Sequence, residues 1–182
     1  MKGISTDYHL AVVGAGISAA YTLIHYLELL RQHPPSRPVR NVVLEQAGEF
    51  WTGVPYGRRS GRNALIITAL REFLPEPERA GFVRWLDGNR EKLFLPAEVD
   101  GCRLTSEWRQ HNQDAMVAGR WDDLFLPRGL FGDYLQETMA AVLDDAVRDG
   151  LIGCTLVPRA VVDIESLDGR YQLTTAGDAA QV

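Results

Sequence analysis

The sequence predicts a three-layer α/β domain with a mainly parallel sheet, a small antiparallel meander and a helical insertion. Three observations predict it. The apolar run Leu10–Val13 leads straight into Gly14-Ala15-Gly16 and then into a helical pattern. A second apolar run, Val39–Leu44, closes on Glu45. A third, Leu151–Val157, follows a long stretch of helical pattern. Short strands alternating with helices mark βαβ units and a parallel sheet.

The first strand is expected over residues 8–13. A helix follows from Ile17 to about Gln32, because Ile17, Ala20, Leu23, Ile24, Leu27 and Leu30 fall on one stripe. His33-Pro34-Pro35-Ser36-Arg37-Pro38 is a stiff connector, and the second strand spans 39–45. Residues 47–150 form a largely helical insertion. Within it, 48–63 is rich in Gly and Arg and reads as a loop, and Asn63–Leu70 is apolar without a clear period. Glu78–Leu93 reads as a helix with Phe82, Trp85 and Leu86 on one side. Thr105 or Ser106 is placed to cap a helix carrying Trp108 and Met116. Gly129–Arg148 reads as a helix whose apolar face holds Phe131, Tyr134, Leu135, Thr138, Val142, Ala146 and Val147, stopped by Asp149-Gly150. After the strand at 151–157, Val161–Ile164 and Arg170–Thr175 flank a Leu167-Asp168-Gly169 turn, and the sequence reaches Val182 in the approach to a third short strand. The whole reads as one domain, 1–182. Its α/β core is expected from 1–46 with 151–182.

The chemistry is concentrated at the first turn. Gly14, Gly16 and Ala19 occupy the three small-residue positions of a dinucleotide fingerprint. Gly14 permits a turn where a side chain clashes, and Gly16 lets backbone approach a pyrophosphate. The helix from Ile17 aims its unpaired N–H groups and positive dipole end at that anion. Glu45, at the end of the second strand, stands where an acidic residue binds a ribose hydroxyl pair, though further along the chain than the roughly 20 residues usual. The other reading of Glu45 is a solvated residue at a strand end.

Bulk properties narrow the classes. With 182 residues, 46% of them apolar, the chain can bury a core. A net charge of −5 gives no footing for nucleic-acid binding. Arg58-Arg59-Ser60-Gly61-Arg62 is the longest basic cluster, readable as a phosphate contact or a solvated loop. Cys102 and Cys154 are far apart, which argues against a disulfide framework or zinc site and for a reducing, cytoplasmic setting. His9, His25, His33 and His111 show no ligand spacing, so no metal is assigned. No run reaches the ~18 apolar residues of a membrane span.

Four stretches resemble the FAD/NAD(P)-binding proteins of the glutathione-reductase-like superfamily. Within it they are most similar to the bacterial FAD-NAD(P)-binding group. N-hydroxylases of lysine and ornithine and flavin monooxygenases are more distant relatives. The stretches are Val13-Gly14-Ala15-Gly16-Ile17-Ser18-Ala19, then Glu45 with Thr52-Gly53-Val54-Pro55-Tyr56, then Phe82-Val83-Arg84-Trp85-Leu86, and last Pro127-Arg128-Gly129-Leu130-Phe131-Gly132-Asp133-Tyr134-Leu135. The resemblance implies a FAD site. In it Gly14, Ala15, Gly16, Ile17 and Ser18 hold the pyrophosphate, and Glu45 with Gln46 meets the adenosine ribose. Tyr56 and Arg128 lie near the cofactor, and backbone at Ala160 and Val161 meets the adenine. A guanidinium opening a helix suits phosphate pairing on its own account, or is a surface Arg beside a proline.

The chain departs from the family pattern in places. Asn63-Ala64-Leu65-Ile66-Ile67-Thr68-Ala69 lacks the Asn-x-Pro common in relatives, and Trp51 stands where glycine is common. Complete members continue to an Ala-Thr-Gly strand and to sequence serving NAD(P)H and substrate. No second G-x-G occurs here, so an NAD(P)H site is not expected in this chain. The resemblance implies a flavin-dependent oxidoreductase or monooxygenase represented by its FAD-binding portion, with no catalytic acid or base assignable. The alternative is a non-catalytic nucleotide-binding or assembly module, its sheet completed by a second polypeptide or a homo-oligomer. A nicotinamide dehydrogenase or methyltransferase fits less well. No Tyr-x-x-x-Lys dyad is present, and Val13 leads the glycines where methyltransferases place an acid.

Overall fold

The computed structural model describes residues 7–61, 64–90, 93 and 103–176. The chain divides into two compact units, one made of Met1–Gly53 with Leu135–Val182, the other of Val54–Tyr134. In the first unit, β1 (Leu10–Val13), β2 (Val39–Leu44) and β3 (Ile152–Val157) form a parallel sheet in the order β1-β2-β3. Val12 lies opposite Val43, and Val43 opposite Leu156. The central strand shows why it is central. Asn41, Val42, Val43 and Leu44 are all buried, as a strand covered on both faces and both edges requires. β1 instead alternates half-buried and exposed residues.

Helix α1 (Ile17–Gln32) runs over the range its periodicity predicts. Ala20, Leu23 and Leu27 are buried, and Ile24 and Leu30 pack at the edge of the same cluster. Its last turn closes with the His33 N–H on the Leu29 carbonyl, and the prolines beyond cannot prolong it. Helix α6 (Arg128–Arg148) contributes Met139, Leu143 and Ala146 to the cluster. The sequence reading placed Thr138, Val142 and Val147 on the apolar face. The buried line is Phe131, Leu135, Met139, Leu143 and Ala146, and Val147 is exposed. Three steps of four and a final step of three make a narrower stripe than the one expected.

The end of α6 is a Schellman motif. Leu151 N–H bonds the Ala146 carbonyl at 3.0 Å, Gly150 N–H bonds that of Val147 at 3.1 Å, and Gly150 has φ +72°. Leu151 and Ala146 meet in the core, so the stop signal and the packing agree. Strands β4 (Val161–Leu167) and β5 (Arg170–Thr175) then form an antiparallel hairpin. Its two-residue turn, Asp168-Gly169, has φ of 46° and 79°, the left-handed pair that an Asp-Gly type I′ turn demands. The third short strand expected near Val182 lies outside the described residues.

The second unit holds short helices α2 (Gly53–Tyr56) and α3 (Leu70–Phe73), then α4 (Glu78–Gly88) and α5 (Arg103–Val117). Three expectations change here. The loop at 48–63 contains α2 and a 3-10 turn at Arg58–Ser60. Helix α4 closes at Gly88, with the Asn89 N–H and side-chain amide both on the Trp85 carbonyl, and Arg90 and Leu93 are helical again, the Leu93 N–H on the Asn89 carbonyl at 3.1 Å, so the expected helix is interrupted at Asn89. Thr105 and Ser106 lie inside α5 rather than at its cap. Residues 64–71 run beside 122–128, through Ile66 N–H to Leu126 O, Leu70 N–H to Leu124 O and Arg128 N–H to Ala64 O. Tyr56, Phe73, Phe82, Phe131 and Tyr134 form one aromatic cluster, mostly edge-on or tilted. Gly81 is required beside it: a Cβ there meets the Tyr134 hydroxyl at 2.7 Å.

Candidate functional site: the β1–α1 turn and the end of β2

Gly14 continues the sheet ladder, its N–H on the Leu44 carbonyl at 2.8 Å, and then turns the chain with φ +87°. That conformation is costly for any residue with a Cβ. A Cβ at Gly14 meets nothing within 4 Å, so the glycine answers a backbone need, not crowding by the protein. Gly16 is the N-cap of α1, and its carbonyl accepts the Ala20 N–H. The first-turn N–H groups have no intrahelical partner by helix geometry. No side chain caps them and no acidic residue sits in that turn. Ile17 is half-buried and Ser18 exposed. A turn open above Gly14 and a helix end with no capping side chain suit an anion.

Glu45 is not a solvated strand end. Only 8% exposed, it extends the β2–β3 ladder through its N–H on the Val157 carbonyl. Its Oε2 accepts the Ala15 N–H at 2.9 Å, and its Oε1 accepts the Ala47 N–H at 3.1 Å. The structure thus joins two motifs, separate in sequence, through one carboxylate. Gln46 beside it is exposed.

A segment the sequence reading quoted but did not assign packs on the same turn. The Trp51 N–H donates to the Ala15 carbonyl at 2.6 Å, and a Cβ at Gly16 would lie 3.9 Å from the Gly53 Cα. Trp51 has φ +77°, a left-handed conformation that favours glycine. Its ring, buried in the core cluster, offsets the strain. Between these two contacts Thr52 is 2% exposed, and its Oγ1 is buried without a hydrogen-bond partner. A buried hydroxyl left unpaired is expensive. Beside the β1–α1 turn, it is the kind of group a phosphate oxygen satisfies. The Thr-Gly pair after an acidic strand end was the available signal. The residues of this unit fit a dinucleotide diphosphate.

Ala160 and Val161 belong to the same unit. Val161 opens β4 opposite Thr175, and the Ala160 carbonyl accepts the Ala176 N–H at 2.8 Å. Tyr56 and Arg128 lie in the second unit. Arg128 opens α6, its Nε on the Leu65 carbonyl at 2.9 Å, while its terminal Nη groups take no hydrogen-bond partner among the described residues. The Tyr56 ring stacks edge-on against Phe73 and Phe131. Burial pushes its hydroxyl above the ordinary phenol range, and the Arg128 charge pulls the other way. Among the described residues, no group of three or more His, Cys, Asp or Glu is arranged to hold a metal ion, and no helix is long and apolar enough to cross a membrane. Burial raises the Cys154 thiol, which suits an inert core cysteine.

The chain is 31% identical over 167 residues to Rv3403c of Mycobacterium tuberculosis and to Mb3437c of Mycobacterium bovis, covering 91% of this chain and 31% of theirs. It is 24% identical over 169 residues to YdhS of Escherichia coli, covering 93% of this chain and 27% of that protein. The chain therefore spans about a third of the length of the curated relatives it matches. A family model described as FAD-NAD(P)-binding matches residues 11–182, and the chain belongs to that family.

Proposed function

We propose that the chain is the FAD-binding portion of a flavin-dependent oxidoreductase of the glutathione-reductase-like superfamily, acting in the cytoplasm and using NAD(P)H. One observation carries the reading: a left-handed Gly14 and an uncapped α1 start lie beside the carboxylate that ends β2. The N–H groups of the α1 first turn bind the diphosphate, and the helix dipole favours its charge. Glu45 keeps spare lone pairs on both oxygens, which accept the ribose hydroxyls. Thr52 gives its hydroxyl hydrogen to a phosphate oxygen. A bound FAD would supply hydride- and electron-transfer chemistry, while these residues bind and orient it. NAD(P)H and substrate are held by sequence corresponding to the unmatched two-thirds of the relatives.

The test is calorimetric titration of the purified chain with FAD, ADP and NADH, together with a search for flavin absorbance. FAD binding with no matching NADH affinity supports the reading. Failure to bind either FAD or ADP overturns it. A second reading rests on β1, an edge of the described sheet with Val13 50% exposed. Here the domain is a non-catalytic nucleotide-binding module whose sheet a further polypeptide extends. Self-association of the chain that Val13→Lys abolishes without loss of ADP affinity favours it.

A further inference from the structure

We infer that Glu45 is a positioning residue for the diphosphate turn, in addition to meeting the ribose. The inference rests on the proposal that this turn receives a dinucleotide diphosphate. Ala15 sits between two glycines, the freest stretch of backbone in the unit. Its N–H is held by Glu45 Oε2 at 2.9 Å and its carbonyl by the Trp51 N–H at 2.6 Å. Ala15 is fully buried, so water offers its N–H no substitute partner. Glu45 is itself fixed three times, by its N–H on the Val157 carbonyl, by the Gly48 N–H on its own carbonyl and by the Ala47 N–H on its Oε1. The carboxylate therefore passes the rigid register of the β2–β3 ladder to the turn. It sets the direction of the Gly16, Ile17 and Ser18 N–H groups before any anion arrives.

Each carboxylate oxygen accepts more than one hydrogen bond, so bracing the turn leaves capacity for sugar hydroxyls. The two roles separate with a nucleotide that has a diphosphate but no ribose diol. A ribose contact alone makes Glu45→Ala harmless towards 2′,3′-dideoxy-ADP. A brace makes the substitution costly towards both ADP and its dideoxy analogue.

The experiment is calorimetric titration of wild type, Glu45→Gln and Glu45→Ala with ADP and with 2′,3′-dideoxy-ADP. It is paired with amide hydrogen exchange at Ala15 in nucleotide-free protein. Glu45→Ala is expected to lose roughly 5- to 30-fold affinity for dideoxy-ADP and to speed Ala15 exchange at least tenfold, the loss of one charge-assisted bond. Glu45→Gln, which keeps one acceptor, falls between. Unchanged dideoxy-ADP affinity together with unchanged Ala15 exchange in both variants overturns the inference. Wild type that binds neither ADP nor FAD sinks the dinucleotide reading instead, and the exchange measurement still reports on the brace. If Glu45→Ala does not fold, Glu45→Gln carries the same two readouts.

Discussion

Replacing Gly14 by alanine isolates the backbone cost of the turn. An added Cβ has open space around it, so no steric clash enters. What remains is a φ of +87°, where an L-residue is strained by about 1–2 kcal/mol. Loss of glycine's freedom in the unfolded chain returns about 0.4–1 kcal/mol. The net destabilisation is about 1 kcal/mol, or about 2–4 °C in Tm for a chain of this size. Gly88→Ala is the matched control. It adds the same methyl group at the last residue of α4, again with nothing within 4 Å and without a left-handed φ. There the substitution gains about 0.5–1 kcal/mol. Thermal melts followed by far-UV circular dichroism should therefore move in opposite directions. Equal shifts in the two variants, or a Gly14→Ala protein as stable as wild type, would refute the assignment of Gly14 to backbone need.

Three further outcomes are expected. Gly16→Ala meets only an ordinary 3.9 Å contact within the protein, so Tm should move by less than about 3 °C, whereas ADP affinity should drop at least about tenfold because a methyl group occupies the line of approach; unchanged affinity in a titration counts against that approach. Thr52→Val removes an unpaired buried hydroxyl at constant shape, so the nucleotide-free protein should melt at the same temperature or higher, and a clear loss of stability would show that the hydroxyl has a structural partner. Asp87 accepts the Trp121 indole N–H at 2.8 Å and pairs with Arg90, and these hold its carboxyl below the ordinary range against the opposing effect of burial. The stability this gives is present at neutral pH and is lost as pH falls through the lowered value, so the Tm gap between wild type and Asp87→Asn should close in acid; a gap constant from pH 7 to pH 2 would contradict the pairing.

Much of the first unit was legible because its signals are local. The α1 stripe, the Asp-Gly hairpin turn and the glycine after α6 each depend on residues a few positions apart. Errors arose where tertiary contacts choose among local options. Several lines along α6 are apolar enough to be buried, and packing against α1 and the sheet selected Met139 and Leu143. Thr105 is a competent cap by composition, yet α5 starts at Arg103. Trp51 shows the reverse: its residue type argues against a left-handed φ, and burial of the ring overrides that preference.

The amino-acid order by itself determined the strand–turn–helix opening, the acidic end of β2 and the hairpin, since backbone freedom and hydrophobic period are properties of neighbouring residues. Only the folded chain decided that Glu45 reaches back to the Ala15 amide, that Trp51 closes on the Ala15 carbonyl and that the Thr52 hydroxyl is buried without a partner. Those contacts join positions some 30 residues apart along the chain. Their existence depends on the register of β1 and β3 against β2, which no local spacing encodes.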